Sequence, residues 1–218
     1  MAFGDLPWAI FDCPVTLPEP TAMAVPPSSQ FDSIIFTSQV AVRTFAPTPD
    51  WFNKKVYAVG QGTAEAAVAL GFPDVTQTGL TVEDMRMHLT TVEFYAALYP
   101  SADEISYDLP AAFPGRIHRA VIYKMAPRVD LPQQLIEPAL KGTPIVVPLF
   151  SRRAADILAD LLTKSGITAQ NAKIAGVGFS ANVFAGEGGP WYSRFVSKEP
   201  VLGAFVEKTG EAIARFGA

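Results

Sequence analysis

Cysteine is almost missing from this chain: Cys13 is the single one in 218 residues. An internal disulfide is therefore excluded, and so is a metal site built on paired thiolates. Histidine is scarce as well, with only His88 and His118, too few for a histidine-built site without carboxylate help. Nor is there a basic surplus, since 17 Lys and Arg stand against 21 Asp and Glu, a formal net charge of −4. A nucleic-acid module would show a basic face, so no nucleic-acid partner is expected. No apolar run reaches membrane-spanning length. The opening Met1-Ala2-Phe3-Gly4-Asp5-Leu6-Pro7 lacks the basic start and long apolar core of a signal peptide. The expectation is a cytoplasmic protein with no membrane partner.

What the chain does have is apolar mass and internal similarity. With 49% hydrophobic and 17% charged residues, it can bury real cores, in one large domain or two of about 100 residues. Two stretches resemble each other. The first runs Ile34-Ile35-Phe36-Thr37-Ser38 and then Lys55-Val56-Tyr57-Ala58-Val59-Gly60-Gln61-Gly62-Thr63. The second runs Val146-Val147-Pro148-Leu149-Phe150-Ser151-Arg152 and then Lys173-Ile174-Ala175-Gly176-Val177-Gly178-Phe179-Ser180. Each is an apolar run ending in Ser, a helical stretch, a Lys, and a second apolar run ending in Gly. A strand that stops there and turns into a helix leaves backbone N–H groups at a helix N-terminus, a ready anion site that needs no net positive charge.

Periodicity fills in the elements. Strands are expected at Trp8–Phe11, Ile34–Thr37, Val56–Val59, Arg119–Met125, Val146–Phe150 and Ile174–Val177. Pro148 sits awkwardly inside the fifth of these. Helices are expected over Gln39–Phe45, Ala64–Leu70 with Gly71 as its stop, Thr81–Leu89 behind a capping-box signal, Pro132–Leu140, Arg152–Lys164 and Val201–Phe216. Tyr95–Tyr99 reads equally as a strand or a helix end, and Gly186–Pro190 as a loop. Strands alternating with helices argue a parallel α/β sheet, with ligands at the carboxyl ends of its strands. Thr37-Ser38, Gly60-Gln61, Ser151 and Gly178 fall at those ends.

The ordered series Phe36-Thr37-Ser38, Val59-Gly60-x-x-Thr63-Ala64, a strand bearing Tyr123, then Ser151 and Gly178, resembles uroporphyrinogen-III synthases from about Phe31 onward. The resemblance implies two similar flavodoxin-like, parallel-sheet α/β domains joined by a two-stranded linker, with a cleft between them. Residues 1–10 with 128–218 would form one domain and residues 22–116 the other. Residues 11–21 and 117–127 would be the linker strands. The family pattern opens on a strand ending in Thr-Arg-Pro and a helix. Here Trp8–Thr16 already resembles the linker, so the discontinuous domain is expected to lack its first β–α unit. Gly178-Phe179-Ser180-Ala181-Asn182 stands where a Gly-Pro-Thr-Thr-Ala type of turn is usual.

The implied chemistry is cyclisation of hydroxymethylbilane, a linear tetrapyrrole, with inversion of its last ring, and with neither metal nor organic cofactor. Its source, the upstream hydroxymethylbilane synthase, is a candidate partner. Tyr123 would donate a hydrogen bond to the departing hydroxyl. Thr37, Ser38, Gln39, Gln61, Gly62, Thr63, Ser151, Arg152, Gly178, Phe179 and Ser180 would hold the substrate's acidic arms, largely through main-chain N–H groups. Plainer readings stand beside these. Ser38, Thr63, Ser151 and Ser180 each also read as helix N-caps, Tyr123 as a core aromatic, and Arg152 as part of a solvated helix face. Two other functions fit the same residues: a non-catalytic relative that binds a tetrapyrrole, another polycarboxylate or a partner protein, and a two-domain module for a phosphorylated ligand.

Overall fold

A computed structural model describes residues 9–185 and 189–216. The chain forms two compact units. One, the inserted unit, is Pro18–Ala126; the other, the split unit, combines the chain up to Leu17 with Pro127 onward.

The inserted unit is built on a sheet containing β1 (Thr16–Pro20), β2 (Ser33–Phe36), β3 (Lys55–Ala58), β4 (Val75–Gln77), β5 (Ala97–Ala102) and β6 (Ile117–Pro127). Their order is β1-β6-β5-β2-β3-β4, and the β6–β5, β5–β2, β2–β3 and β3–β4 pairs are parallel. Thr16–Pro20, from the first expected linker segment, and Ile117–Pro127, the second, thus lie side by side in this sheet as β1 and β6, while residues 11–15 are not strand. Between the strands run α1 (Gln39–Thr44), α2 (Gln61–Leu70), α3 (Val82–Leu89) and the single turn α4 (Leu109–Ala112). Central β2 is buried on both faces, as a parallel strand covered on two sides must be. Ile34 and Phe36 pack into one core with Trp51, Phe72 and Leu98, while Ile35 packs into a second with Tyr57, Met85, Leu89 and Tyr99.

Local chemistry starts and stops these helices much as the sequence suggests. Ser38 caps α1, and Thr81 with Asp84 forms a reciprocal capping box on α3. Gly71 ends α2 in the left-handed region, φ 115°. Helix α2 begins earlier than expected, however. Gly60 is its N-cap, and Thr63 lies inside the first turn with its side chain buried, so the N-cap reading of Thr63 is wrong. The doubtful segment around Tyr99 proves to be strand β5.

The split unit carries α5 (Gln133–Leu140), β7 (Ile145–Leu149), α6 (Arg152–Lys164), β8 (Ile174–Gly178), β9 (Ser193–Val196) and α7 (Leu202–Phe216). Its strands form a parallel sheet in the order β7-β8-β9. Helix α6 contributes Ala155, Leu158, Leu161 and Leu162 to one core, and α7 contributes Phe205 and Ala212 to another. Ala9–Phe11, expected as part of a strand, is not one. The expected loop at Gly186–Pro190 lies partly outside the described residues, as does Trp8.

Register explains Pro148. Ile145 N–H donates to the Lys173 carbonyl and the Leu149 carbonyl accepts from Phe179 N–H, both at 2.9 Å. Odd-numbered residues of β7 thus bond to β8, and the Pro148 nitrogen points the other way. Because β7 ends the strand order among the described residues, the missing N–H costs no ladder bond there. The same parity places Pro100 toward β2, since Ala97 N–H bonds to Arg116 carbonyl on the β6 side. The β2–β5 ladder stops at Ile34↔Leu98, ahead of the hydroxyl residues that follow β2.

Candidate functional site

The inserted unit brings two tyrosine hydroxyls to two consecutive residues at the end of β2. Thr37 and Ser38 follow the strand directly, and strand side chains alternate, so they turn to opposite faces of the sheet. The Thr37 hydroxyl lies 3.1 Å from that of Tyr99 and the Ser38 hydroxyl 3.1 Å from that of Tyr123. Tyr99 and Tyr123 belong to different cores and are 2% and 5% exposed, so each pair is held by packing. Ser38 Oγ also accepts the Ala41 N–H at 3.0 Å. The N-cap reading of Ser38 and its place beside Tyr123 are therefore both true.

Tyr123 reaches Ser38 because of a β-bulge. Pairing of β5 with β6 runs evenly from Ala97↔Ile117 to Ser101↔Val121, then jumps to Ala102↔Tyr123. Ile122 is the extra residue. Without it Tyr123 would fall on the Tyr99 face; with it, Ile122 and Tyr123 enter the same core as Phe36. Thr37, Ser38, Tyr99, Ser101, Tyr107 and Tyr123 then line a cavity of about 190 Å³, closed further by Val82, Ala102, Glu104, Ile105 and Ser106. Burial pushes the Tyr99 phenol above its ordinary value, against the Thr37 hydrogen bond and the nearby Arg119 charge, so it stays protonated at neutral pH.

A second feature of this unit is the start of α2. Gly60 adopts φ 73° and ψ 153°, a region open essentially to glycine, and supplies no side-chain cap. Its own N–H donates to the Gly79 carbonyl at 2.8 Å. Helix geometry leaves the N–H groups of Gln61, Gly62 and Thr63 without intrahelical acceptors. Gln39, in the first turn of α1, lays its side-chain amide against Gly62, where a Cβ would collide with it. The first turns of α1 and α2 thus sit together, and the Gln61 side chain turns to Glu65, 2.7 Å away.

Predicted residues of the split unit have different surroundings. Ser151 caps α6 by accepting Ala154 N–H at 3.2 Å and is exposed. Arg152 lies 3.5 Å from Asp156, one turn along its own helix, an exposed pair of little energetic weight. Phe179 N–H, expected to be open to a ligand, already donates to the Leu149 carbonyl. The Phe179 ring packs against Phe150 and Phe205, with centroids 5.6 and 5.4 Å away. Gly178 leaves room for neighbours: an added Cβ would meet the Phe184 ring at 2.9 Å and the Ser180 carbonyl at 3.1 Å. Ser180 precedes a short 3-10 turn, Ala181–Phe184, without capping it through its hydroxyl.

A family model described as uroporphyrinogen-III synthase HemD matches residues 11–191. The chain belongs to that family. The match takes in every site residue read from the sequence. Among solved structures, the uroporphyrinogen-III synthetase of Helicobacter pylori 26695 is similar at TM-score 0.53 and 18% identity, covering 88% of each chain, which supports the shared fold. A mutant uroporphyrinogen III synthase of Thermus thermophilus matches at TM-score 0.42 and 15% identity, over 93% of this chain and 88% of that one. The wild-type Thermus protein matches at 0.40 and 16%, over 86% and 80%. No curated protein matches. As in the family pattern, this uroporphyrinogen-III synthase relative combines mixed α/β units on parallel-dominated sheets. Among the described residues, no helix is long and apolar enough to cross a membrane.

Tyr99, Ser101 and Tyr107 of the cavity lining carry no site signal in the sequence, and neither does Arg119 next to it. Only the face of Tyr99 was legible in principle, because two residues beyond Ala97 in a strand it must share that residue's face. Arg119, whose guanidinium grips the end of β5, left no local signal.

Proposed function

We propose that this protein cyclises hydroxymethylbilane to uroporphyrinogen III in the cytoplasm, on substrate released by the upstream synthase. The observation that carries the assignment of roles is the Tyr123–Ser38 hydroxyl pair on a small cavity at the strand ends. Water leaves the hydroxymethyl end of the substrate, producing an electrophilic azafulvene. The far pyrrole attacks through its substituted carbon, and the spiro intermediate rearranges and closes with that ring inverted. Tyr123 donates its O–H to the departing hydroxyl, and Ser38, itself fixed by the Ala41 N–H, returns a hydrogen bond to the tyrosine oxygen. A positioned proton donor of this kind contributes roughly 10²–10⁴-fold.

The substrate is reactive by itself, so holding it folded is the larger part of the task. Positioning lowers barriers by about 7–11 kcal/mol in good intramolecular cases. The acetate and propionate arms suit the amides of Gln61, Gly62 and Thr63 at α2, where no side chain caps the helix. Thr37, Ser38 and Gln39 at α1 add further donors. In the split unit Ser151 and Arg152 at α6 are the corresponding donors, together with Ser180, while the Phe179 N–H is taken by the Leu149 carbonyl. The test supplies hydroxymethylbilane from its upstream enzyme and separates the ring isomers. Type III product is expected; only the spontaneous type I ring would overturn the proposal. Thermal stabilisation by tetrapyrroles without type III product would instead favour a binding protein.

A further inference from the structure

The bulge that turns Tyr123 toward Ser38 is pinned from both sides. On the β1 side, Thr21 N–H donates to the Ile122 carbonyl at 2.9 Å and Thr21 Oγ1 to the Val121 carbonyl at 2.6 Å. Facing it, Asp103 N–H donates to the Tyr123 carbonyl at 3.0 Å. Asp103 is held in turn by Arg119. The Arg119 Nε donates to Ser101 Oγ at 2.9 Å, and its Nη2 donates to the carbonyls of Ala102 and Asp103, each at 2.6 Å. One guanidinium thus grips three successive residues at the end of β5, opposite the register jump. Arg119 stands on the Tyr99 face, since it pairs with Tyr99 before the jump. It therefore acts from the far side of the sheet and touches neither hydroxyl of the Tyr123–Ser38 pair.

We infer that Arg119 is a positioning residue for Tyr123, setting the tyrosine's reach to Ser38 by locking the β5 strand end against the bulge. The planar fork is essential to this. Lysine carries the same charge, but as a compact ammonium it cannot reproduce the fork that spans three acceptors. A misplacement of about 1 Å at a reacting group costs up to about 10²-fold in rate, and a loosened bulge moves Tyr123 on that scale.

The inference rests on the role given to Tyr123, and a double-mutant cycle separates the two. The variants are Arg119→Met, Arg119→Lys, Tyr123→Phe and Arg119→Met with Tyr123→Phe. Each is assayed for type III formation, with kcat and KM measured separately and folding followed by thermal melting. Arg119→Met and Arg119→Lys are expected to lower kcat by roughly tenfold or more with KM nearly unchanged. In the Tyr123→Phe background, Arg119→Met should cost less than about twofold, because the group it positions is already gone. Full activity of Arg119→Lys, or equal losses from Arg119→Met in both backgrounds, would overturn the inference while leaving Tyr123 its role. An unimpaired Tyr123→Phe protein would overturn both. Should Arg119→Met not fold, Thr21→Val removes a pin on the opposite side and is expected to show the same non-additivity with Tyr123→Phe; additive losses there would overturn the inference.

Discussion

Ser38 in the inserted unit and Ser151 in the split unit each follow a strand and each cap a helix through the N–H three residues on. Ser38 is half-buried against a tyrosine hydroxyl, whereas Ser151 is exposed between Phe150, 59% exposed, and the exposed Arg152. The difference lies in what stands beside the strand. In the inserted unit β2 has β5 next to it and β6 beyond, and both send a tyrosine toward its end. In the split unit β7 ends the sheet order among the described residues, and its partner β8 carries glycines where rings from elsewhere crowd in. The same local sequence chemistry becomes a polar cavity in one unit and an aromatic cluster in the other.

The sharpest way to break this comparison is to remove the hydroxyl that distinguishes the units. Tyr123→Phe should lower type III formation by roughly 10²-fold while leaving the melting temperature close to that of the parent, as isomer analysis and a thermal scan would show. A loss below about threefold would remove the contrast at its root. Next in size are the glycines. Gly60→Ala must hold a Cβ at positive φ, and Gly178→Ala must fit one against Phe184 and the Ser180 carbonyl; each should cost about 1–3 kcal/mol in denaturant unfolding. Phe184→Leu should recover part of the Gly178→Ala loss and none of the Gly60→Ala loss, because one strain is packing and the other is backbone.

Smaller effects sharpen the contrast between caps. Ser38→Ala and Ser151→Ala should each destabilise by about 1 kcal/mol, yet Ser38→Ala should lose more turnover, since its hydroxyl is the one that meets the Tyr123 hydroxyl. Equal kinetic losses would place the serines in the same role. The smallest effect concerns pH. Asp84 is held below the ordinary carboxyl range by the Thr81 side chain and the Thr81 and Leu80 N–H groups. A depressed folded-state value means the stabilisation is present above the unfolded value and lost as pH falls through the folded one. Acidification should therefore weaken the α3 cap but not the α6 cap, whose third position is Ala154. Asp84→Ala should flatten part of the acid limb of melting temperature against pH, and an unchanged limb would count against this account.

Much of the fold was legible because it is locally written. Buried strands such as Ile34–Phe36 read as continuous apolar runs, and α6 reads as a 3.6-residue stripe. The capping box at Thr81 and the stop at Gly71 are short-range hydrogen-bond chemistry. Thr63 was misread because a threonine near a helix start looks like a cap, when Gly60 had already turned the chain. Strands β4 and β9 left too short a pattern to notice. Of the residues that line the cavity, Thr37, Ser38 and Tyr123 stand out in the sequence, while Tyr99, Ser101, Tyr107 and the neighbouring Arg119 do not. The importance of Tyr99 and Arg119 comes from partners across the sheet rather than from their neighbours in sequence.

The sequence by itself determined where strands end in hydroxyl or glycine residues, which helices follow, and which family the order of those pieces matches. Tertiary structure alone decided that Pro148 turns away from β8, that Pro100 falls beyond the end of the β2–β5 ladder, and that a bulge carries Tyr123 to Ser38. The physical reason is that strand order and register are set between segments far apart in the chain. The two tyrosine–hydroxyl contacts join residues 62 and 85 positions apart, and no local propensity encodes which strand lies next to which.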